Sequence, residues 1–422
     1  MEKITAPRGT RDVLPEESRS WQILEEKLRS LAHRFGFSEI RFPTFEEVAL
    51  FDRGVGDTTD VVQKEMYDFY DKGDRHIALR PEGTASVVRS FIEHSLHAKG
   101  LPLKVYYIAP NFRYEKPQAG RLREHHQFGV ECFGAADATA DAEVISLGAT
   151  LLSELGITDT ELHLNSCGCR ECRKNYHAAL TEYFSTKTGE LCETCNDRLS
   201  RNPMRILDCK SEICKRISKD APKIVDFLCD SCRDHFEKLK TCLDEIGIKY
   251  TLDPMLVRGL DYYTNTVFEF VSGKLGAQST VLGGGRYNGL VESLGGPETP
   301  GLGFGSGIER LMLTLEAEGK LPGGRISPDI FVAYAEADAE IFSHKLVWEL
   351  RALGVAAERD TTCRSLKAQM KYASKLGAKF CVVIGGNELS EGKANIKDME
   401  SGEMRECALS ADEIKALIGG LK

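Results

Sequence analysis

No apolar run in this chain of 422 residues approaches the roughly 18 that a membrane-spanning helix needs, so no such helix is expected. Residues 1–17 lack the apolar core and small-residue cleavage pattern of a secretory leader; they carry Arg8, Arg11, Asp12 and two prolines instead. Positive charge is not in excess: 55 Lys and Arg stand against 64 Asp and Glu, a net charge of −9. No general field therefore draws polyanions, and a nucleic-acid site has to be local. The pattern G-x-x-x-x-G-K-[ST] is absent, and the glycine runs at 283–289 and from Gly301 do not fit G-x-G-x-x-G. That excludes the usual signatures of P-loop enzymes and dehydrogenases. The balance of 42% apolar and 28% charged residues is that of an ordinary folded protein, expected to be soluble and cytoplasmic.

The length calls for two or three domains, since one core organises roughly 100 to 200 residues. Residues 104–115 and 124–133 read as two antiparallel strands joined by a polar loop with Pro117 and Gly120. Further extended runs lie at 256–263, 266–272 and around Val281, with helices between. This is the α+β class, an antiparallel sheet with helices. After the glycines from Gly301, Ile308, Leu311, Met312 and Leu315 recur at the spacing of one buried helix face. Glycines and prolines in 319–328 mark a boundary. Beyond it, strands at 330–334, 355–358 and 380–384 alternate with helices, one of them burying Phe342, Leu346, Leu350 and Leu353. That alternation predicts a small α/β domain with a mainly parallel sheet. The domain limits are thus 1–165 with 241–322 for a discontinuous core, 166–240 for an insertion, and 329–422 for the last domain.

The insertion is defined by cysteine. Of 14 in the chain, nine lie between Cys167 and Cys232. Disulfide scaffolds are small secreted chains, so metal binding or reduced thiols is the expected chemistry. Cys169, Cys172, Cys192 and Cys195 have the paired-knuckle spacing of a structural zinc ribbon. Cys209, Cys214, Cys229 and Cys232 form a second set, Cys167 is a spare that could replace Cys169, and the spacing admits several groupings. A helical insertion with reduced, metal-free thiols is the other reading.

Four segments concentrate Arg, Glu, Tyr and Gly beyond what packing requires: LRPEGTA at 79–85, FRYE at 112–115 through QFGVE at 127–131, LVRGLDYY at 256–263, and GLGFGSGIER at 301–310. Alternate strand residues share a face, so Arg113 and Glu115 point one way, as do Gln127, Gly129 and Glu131. One sheet surface can present cations and carboxylates together. The glycines allow a flat ligand to approach the backbone, or mark bends.

These segments, with APRGTRD at 6–12, a motif ending near Pro43, and GGGRY at 283–287, resemble bacterial histidyl-tRNA synthetase, a class II aminoacyl-tRNA synthetase. The likeness covers nearly the whole chain. It implies ATP-dependent activation of L-histidine and transfer to the 3′ end of its transfer RNA, with Mg2+ accompanying ATP and a homodimeric enzyme. It implies Arg113 and Arg258 at the α-phosphate, Glu115 at the adenine amino group, Phe128 and Arg310 on either side of the ring, and Arg121 at the outer phosphates. Glu82, Thr84 and Gln127 are implied for the α-ammonium, and Glu131 and Tyr263 for the imidazole, with Tyr262 nearby. It also implies an anticodon-binding last domain and places the insertion near the acceptor arm. Members commonly lack these cysteines.

Arg364, Lys367, Lys371, Lys375 and Lys379 recur every three or four residues, a basic stripe mostly on one helix face, open to phosphates or merely solvated. The competing functional reading is a non-catalytic, histidine-binding regulatory relative of the same core. It would normally lack the last domain and depart from the ATP motifs. A zinc-ribbon nucleic-acid binder leaves 1–165 and 250–320 unexplained.

Overall fold

The computed structural model describes residues 3–56, 59, 61–273, 280–324 and 326–420. Met1 and Lys422, the outer limits of the first and last domains drawn above, lie outside them. The chain forms two compact units, Met1–Pro322 and Gly323–Lys422. No helix among the described residues is long and apolar enough to cross a membrane.

The first unit is built on a sheet that has eight strands among the described residues, in the order Ser38–Glu39, Leu103–Phe112, Glu124–Phe133, Gly301–Gly307, Thr280–Arg286, Thr264–Ser272, Thr160–Ser166 and Thr251–Leu252. The interior pairings are antiparallel and the two edge pairings parallel. One face is covered by helices. Pro15–Arg34 starts with proline in its first turn, where a missing N–H costs nothing, and has Glu16 and Glu17 at its positive end. Its Trp21, Leu24, Leu28 and Leu31, three or four residues apart, pack with Val144, Ile145 and Leu151 of Ala138–Glu154 and with Leu311 and Leu315 of Ile308–Ala317. Helix Asp230–Glu245 adds Phe236, Leu239 and Leu243 to this core. The helix face expected at 308–315 is buried as its spacing required.

The charge at the centre of this packing is unusual. Arg286, fully buried, donates to Asp141 through Nε at 3.0 Å and to the Ala135 carbonyl through Nη1 at 2.7 Å. It fastens the strand Thr280–Arg286 to the helix behind it.

Residues 256–263, expected to be extended, are a loop. Their backbone carbonyls are held by side chains instead of a strand partner: Arg173 Nη1 donates to Tyr263 at 2.9 Å and Arg205 Nη2 to Gly259 at 2.8 Å. The insertion leaves the sheet at Thr160–Ser166 and returns to the edge strand Thr251–Leu252, which pairs with it in parallel. It is helical, with a core of its own around Tyr176, Leu180, Phe184, Ile206 and five buried cysteines. Its last helix, Asp230–Glu245, runs through residue 240 into the main core.

The second unit has a five-stranded sheet among the described residues, ordered Ala357–Arg359, Ile330–Tyr334, Phe380–Ile384, Lys393–Asp398, Met404–Ala408. The first three strands are parallel; the last two run antiparallel, so the sheet is mixed and not mainly parallel. Of the two missed strands, Lys393–Asp398 is polar and partly buried and Met404–Ala408 is almost wholly exposed, which hides both from an apolar pattern. The basic stripe is shorter than expected. Helix Leu366–Leu376 carries Lys367, Lys371 and Lys375, all exposed, whereas Arg364 precedes it and Lys379 follows it. Arg364 pairs with Asp360 at 2.5 Å and lies over the Tyr372 ring, and Lys379 pairs with Asp329 at 2.8 Å.

Candidate active site

The sheet face opposite the helices forms the floor of a cleft of about 750 Å3. Glu82, Thr84, Arg113, Glu115, Arg121, Gln127, Glu131, Arg258, Tyr262, Tyr263 and Arg310 all line it. Strand alternation brings Gln127 and Glu131 there; Arg113 and Glu115 follow the end of strand Leu103–Phe112, Thr84 and Arg310 lie in the first turns of helices, and the others are on loops. In the central hairpin the odd-numbered positions Tyr107, Gln127 and Glu131 face the cleft, while Tyr106, Phe128 and Val130 face the helices.

The same alternation overturns one expectation. Phe128 does not flank the cleft; it is completely buried in the helix-side core against Phe304 and Tyr106. His125, three residues earlier and of the opposite parity, lines the cleft with Arg310. Burial, reinforced by Arg113 and Arg310, pushes the His125 imidazole down to about 3, so it is neutral at physiological pH.

One end of the cleft is a polar pocket. Glu131 accepts from Thr84 Oγ1 at 2.7 Å and from the Tyr287 hydroxyl at 2.6 Å. Burial pushes its carboxyl up to about 8 in spite of both bonds. Glu82 accepts from the backbone N–H groups of Thr84 and Ala85, at 2.8 and 2.7 Å, at the start of helix Thr84–Glu93. Burial raises its carboxyl too. Gln127 Oε1 accepts from Tyr107 and Asn111 at 3.2 and 3.0 Å. The ring of Tyr262 meets Tyr287 edge to face, with centroids 5.8 Å apart.

The strand glycines are needed here, although the groups that approach them are side chains of the chain itself. A Cβ on Gly303 would come within 2.2 Å of Glu131 Oε2, and one on Gly305 within 2.1 Å of Gln127 Nε2. The glycine strand thus makes room for the two polar residues of its neighbour.

The other end of the cleft is cationic. Arg113 donates through Nε to the Pro81 carbonyl at 2.7 Å, and its Nη1 lies 3.9 Å from Glu115. Glu115 is paired with Arg121. Arg258 is paired with Glu269, which also accepts from Thr280 Oγ1 at 2.7 Å. Burial alone would lower the Arg258 pKa; Glu269 and Tyr263 outweigh it and hold the guanidinium charged. Arg310 Nη1 donates to the Thr280 carbonyl at 2.6 Å. Tyr107, His125 and Tyr287 also line the cleft, and Glu269 pairs with Arg258; the sequence reading missed all four. For Tyr107 and His125 the signal was present, since both share the parity of Arg113 and Gln127.

The insertion forms a wall. Arg198, Arg205, Lys210, Cys192 and Cys209 line the cleft, while on the far side of loop 256–263 a groove of about 370 Å3 is lined by Arg170, Arg173, Lys174 and Arg201. The eight cysteines are regrouped relative to the expected sets. Cys169 and Cys172 gather with Cys229 and Cys232, and Cys192 and Cys195 with Cys209 and Cys214, all sulfurs within 4.8 Å in each quartet. The pairing is nested because the insertion leaves and rejoins adjacent strands, which brings its first and last cysteine pairs together. Cys167 packs instead against Leu256 and Val267.

Residues 9–311 match the family model described as histidyl-tRNA synthetase, and 329–419 that of an anticodon binding domain. The chain is 55% identical over 414 residues to the histidine–tRNA ligase of Caldanaerobacter subterraneus subsp. tengcongensis, covering 98% of this chain and 99% of that one. It is 53% identical over 405 residues to the histidine–tRNA ligase of Acetivibrio thermocellus, covering 96% and 97%. The structure is similar to that of apo S. aureus histidyl-tRNA synthetase, with a TM-score of 0.83, 40% identity and 99% of each chain covered. With a polar pocket and a cationic end joined in one cleft, and with relatives matched along their full length, this chain belongs to the histidyl-tRNA synthetase family.

Proposed function

We propose that this chain activates L-histidine with ATP and transfers the histidyl group to the 3′ end of its transfer RNA. The observation that carries the reading is the junction, in one cleft, of the Glu131–Thr84–Tyr287 pocket with Arg113, Arg258 and Arg310. In the first step a carboxylate oxygen of histidine bonds to the α-phosphorus and pyrophosphate departs. In the second a terminal ribose hydroxyl attacks the acyl carbon and AMP departs. Neither step needs a covalent bond to the protein, so positioning and charge stabilisation supply the acceleration.

Arg113 and Arg258 are assigned to the α-phosphate, where planar, permanently charged donors suit the spread of negative charge. Glu115 is assigned to the adenine amino group and Arg121 to the outer phosphates; both must exchange their mutual ion pair for ATP. His125, neutral and flat, replaces Phe128 as the partner of Arg310 across the adenine ring. Mg2+ arrives with ATP.

Glu82, Thr84 and Gln127 are assigned to the α-ammonium. Glu131 and Tyr263, with Tyr262 beside them, are assigned to the imidazole. Glu131 is largely protonated at neutral pH without substrate, and an imidazole N–H gives its ionised form a partner. Side chains without ring nitrogens leave these buried groups unpaired, a discrimination of roughly 10⁴ or more. The regulatory alternative is disfavoured by the cationic end of the cleft and by the last domain. Lys367, Lys371 and Lys375 suit anticodon phosphates, and the basic groove beside loop 256–263 suits the acceptor end. A homodimer is the proposed assembly, and the two thiol quartets suit structural zinc.

The test is exchange of labelled pyrophosphate into ATP, with each of the twenty amino acids offered separately and Arg258→Ala as control. Exchange with histidine alone, lost in the control, supports the reading. Histidine binding without exchange would transfer support to the regulatory one.

A further inference from the structure

We infer that residues 167–232 bind two zinc ions, one in each nested thiol quartet, and that together the ions fix the loop carrying Arg258, Tyr262 and Tyr263. The effect on catalysis rests on the synthetase reading; the metal sites do not.

Both quartets have the size of a four-thiolate site, with all sulfurs in each within 4.8 Å of one another. Four sulfurs at about 2.3 Å from zinc lie about 3.8 Å from one another. Cys169 and Cys172 have their sulfurs 3.6 Å apart, and Cys192 and Cys209 theirs 3.8 Å apart. Each quartet also has N–H groups aimed at sulfur, the donors that metal-bound thiolates accept. In the outer quartet Cys229 N–H donates to Cys172 Sγ at 3.1 Å and Asn265 Nδ2 to Cys232 Sγ at 3.3 Å. In the inner one Cys192 N–H donates to Cys214 Sγ and Ser211 N–H to Cys209 Sγ, both at 3.4 Å. Cys169, Cys192 and Cys229 each immediately precede a helix, so their positions are set by regular backbone. Zinc binding displaces the four thiol protons of each quartet and leaves no open position for substrate.

A lobe this small, with cysteine among its core residues, gains much of its stability from such closure. Its attachments to the cleft loop are made by residues beside the two quartets: Arg173, next to Cys172, holds the Tyr263 carbonyl at 2.9 Å. Asn265, which donates to Cys232 of the outer quartet, also exchanges backbone bonds with Cys167 and Gly168, at 2.7 and 2.9 Å. Between Cys195 and Cys209 of the inner quartet, Asn202 Nδ2 and Arg205 Nη2 both donate to Asp261 Oδ1, at 3.0 and 3.2 Å. Arg205 also holds the Gly259 carbonyl. One quartet therefore secures the end of the loop and the other its middle. Cys192 and Cys209 themselves border the cleft.

The experiment is metal analysis of the full chain purified with zinc, with X-ray absorption at the zinc edge and cobalt(II) replacement. Two zinc ions per chain, each with four sulfur ligands, are expected. Combining Cys169→Ser, Cys172→Ser, Cys229→Ser and Cys232→Ser should leave one four-sulfur site, and combining Cys192→Ser, Cys195→Ser, Cys209→Ser and Cys214→Ser should leave the other. Pairing in sequence order would leave neither variant with such a site and would overturn the nesting. If the variants do not fold, the wild-type stoichiometry decides: fewer than two sulfur-bound ions overturns the proposal. Stripping zinc from the wild type should lower histidine-dependent exchange at least about tenfold, mainly through a raised KM for histidine, with recovery on adding zinc. Unchanged exchange after stripping overturns the role given to the loop. A chain holding two zinc ions but exchanging with no amino acid overturns the synthetase reading instead.

Discussion

The floor and the wall of the cleft are held in different ways. The floor is a sheet of paired strands, where register fixes that Tyr107, Gln127 and Glu131 face the cleft, and a buried Arg286–Asp141 pair locks one of those strands to the helices behind. The wall is a helical lobe and a loop without a strand partner, gripped by arginine side chains and thiol quartets. A backbone ladder spreads its support over many bonds. The wall concentrates its support in a few side chains, so it is the part that single changes can loosen without unfolding the sheet.

The largest effect should come from breaking the floor. Arg286→Met takes the guanidinium from buried Asp141 and leaves it His235 Nε2 at 3.3 Å, and about 3–5 kcal/mol of stability should be lost in urea unfolding. A loss below about 1 kcal/mol would mean the strand is held by its ladder alone. Next, Arg113→Ala should reduce histidine-dependent exchange on the order of 10²–10³-fold with the unfolding midpoint little changed. Equal loss of stability would make Arg113 a structural residue.

Glu131→Gln separates recognition from stability on the floor. The Glu131 carboxyl lies near 8, above its ordinary value of 4.5, so the folded chain binds the extra proton. Its contribution is complete below about 4.5 and is lost as pH rises towards about 8. The glutamine variant should lose exchange, yet its thermal midpoint should fall less than that of the wild type between those pH values. Parallel curves would place the Glu131 pKa in the ordinary range.

The smallest effect concerns the other unit. Lys367→Gln with Lys371→Gln should weaken transfer RNA binding and reduce its salt slope by roughly 1.5, leaving pyrophosphate exchange intact. An unchanged slope would make the stripe a solvated helix face.

Much of the floor was legible. Period-two alternation predicted that Gln127 and Glu131 share a face, and strand Glu124–Phe133 turns both to the cleft; Arg113 and Glu115 reach it too, but from beyond the end of strand Leu103–Phe112, where alternation no longer applies. Phe128 failed because its even position contradicts the rule that placed its neighbours, and His125 and Tyr107 satisfy that rule. Arg286 lies inside GGGRY at 283–287, one of the segments that carry the family resemblance, yet its side chain serves the core. The wall was legible only as a composition: cysteine spacing announced a metal-type lobe but not which pairs meet.

The sequence by itself determined what depends on local periodicity and residue chemistry: strands, helix faces, glycine positions, and the set of charged groups on one surface. The tertiary structure alone decided the nested cysteine quartets, the loop at 256–263, and the raised Glu131 and lowered His125. Each of these depends on segments distant in the chain meeting in a desolvated place, and neither proximity nor desolvation is a property of a local stretch of residues.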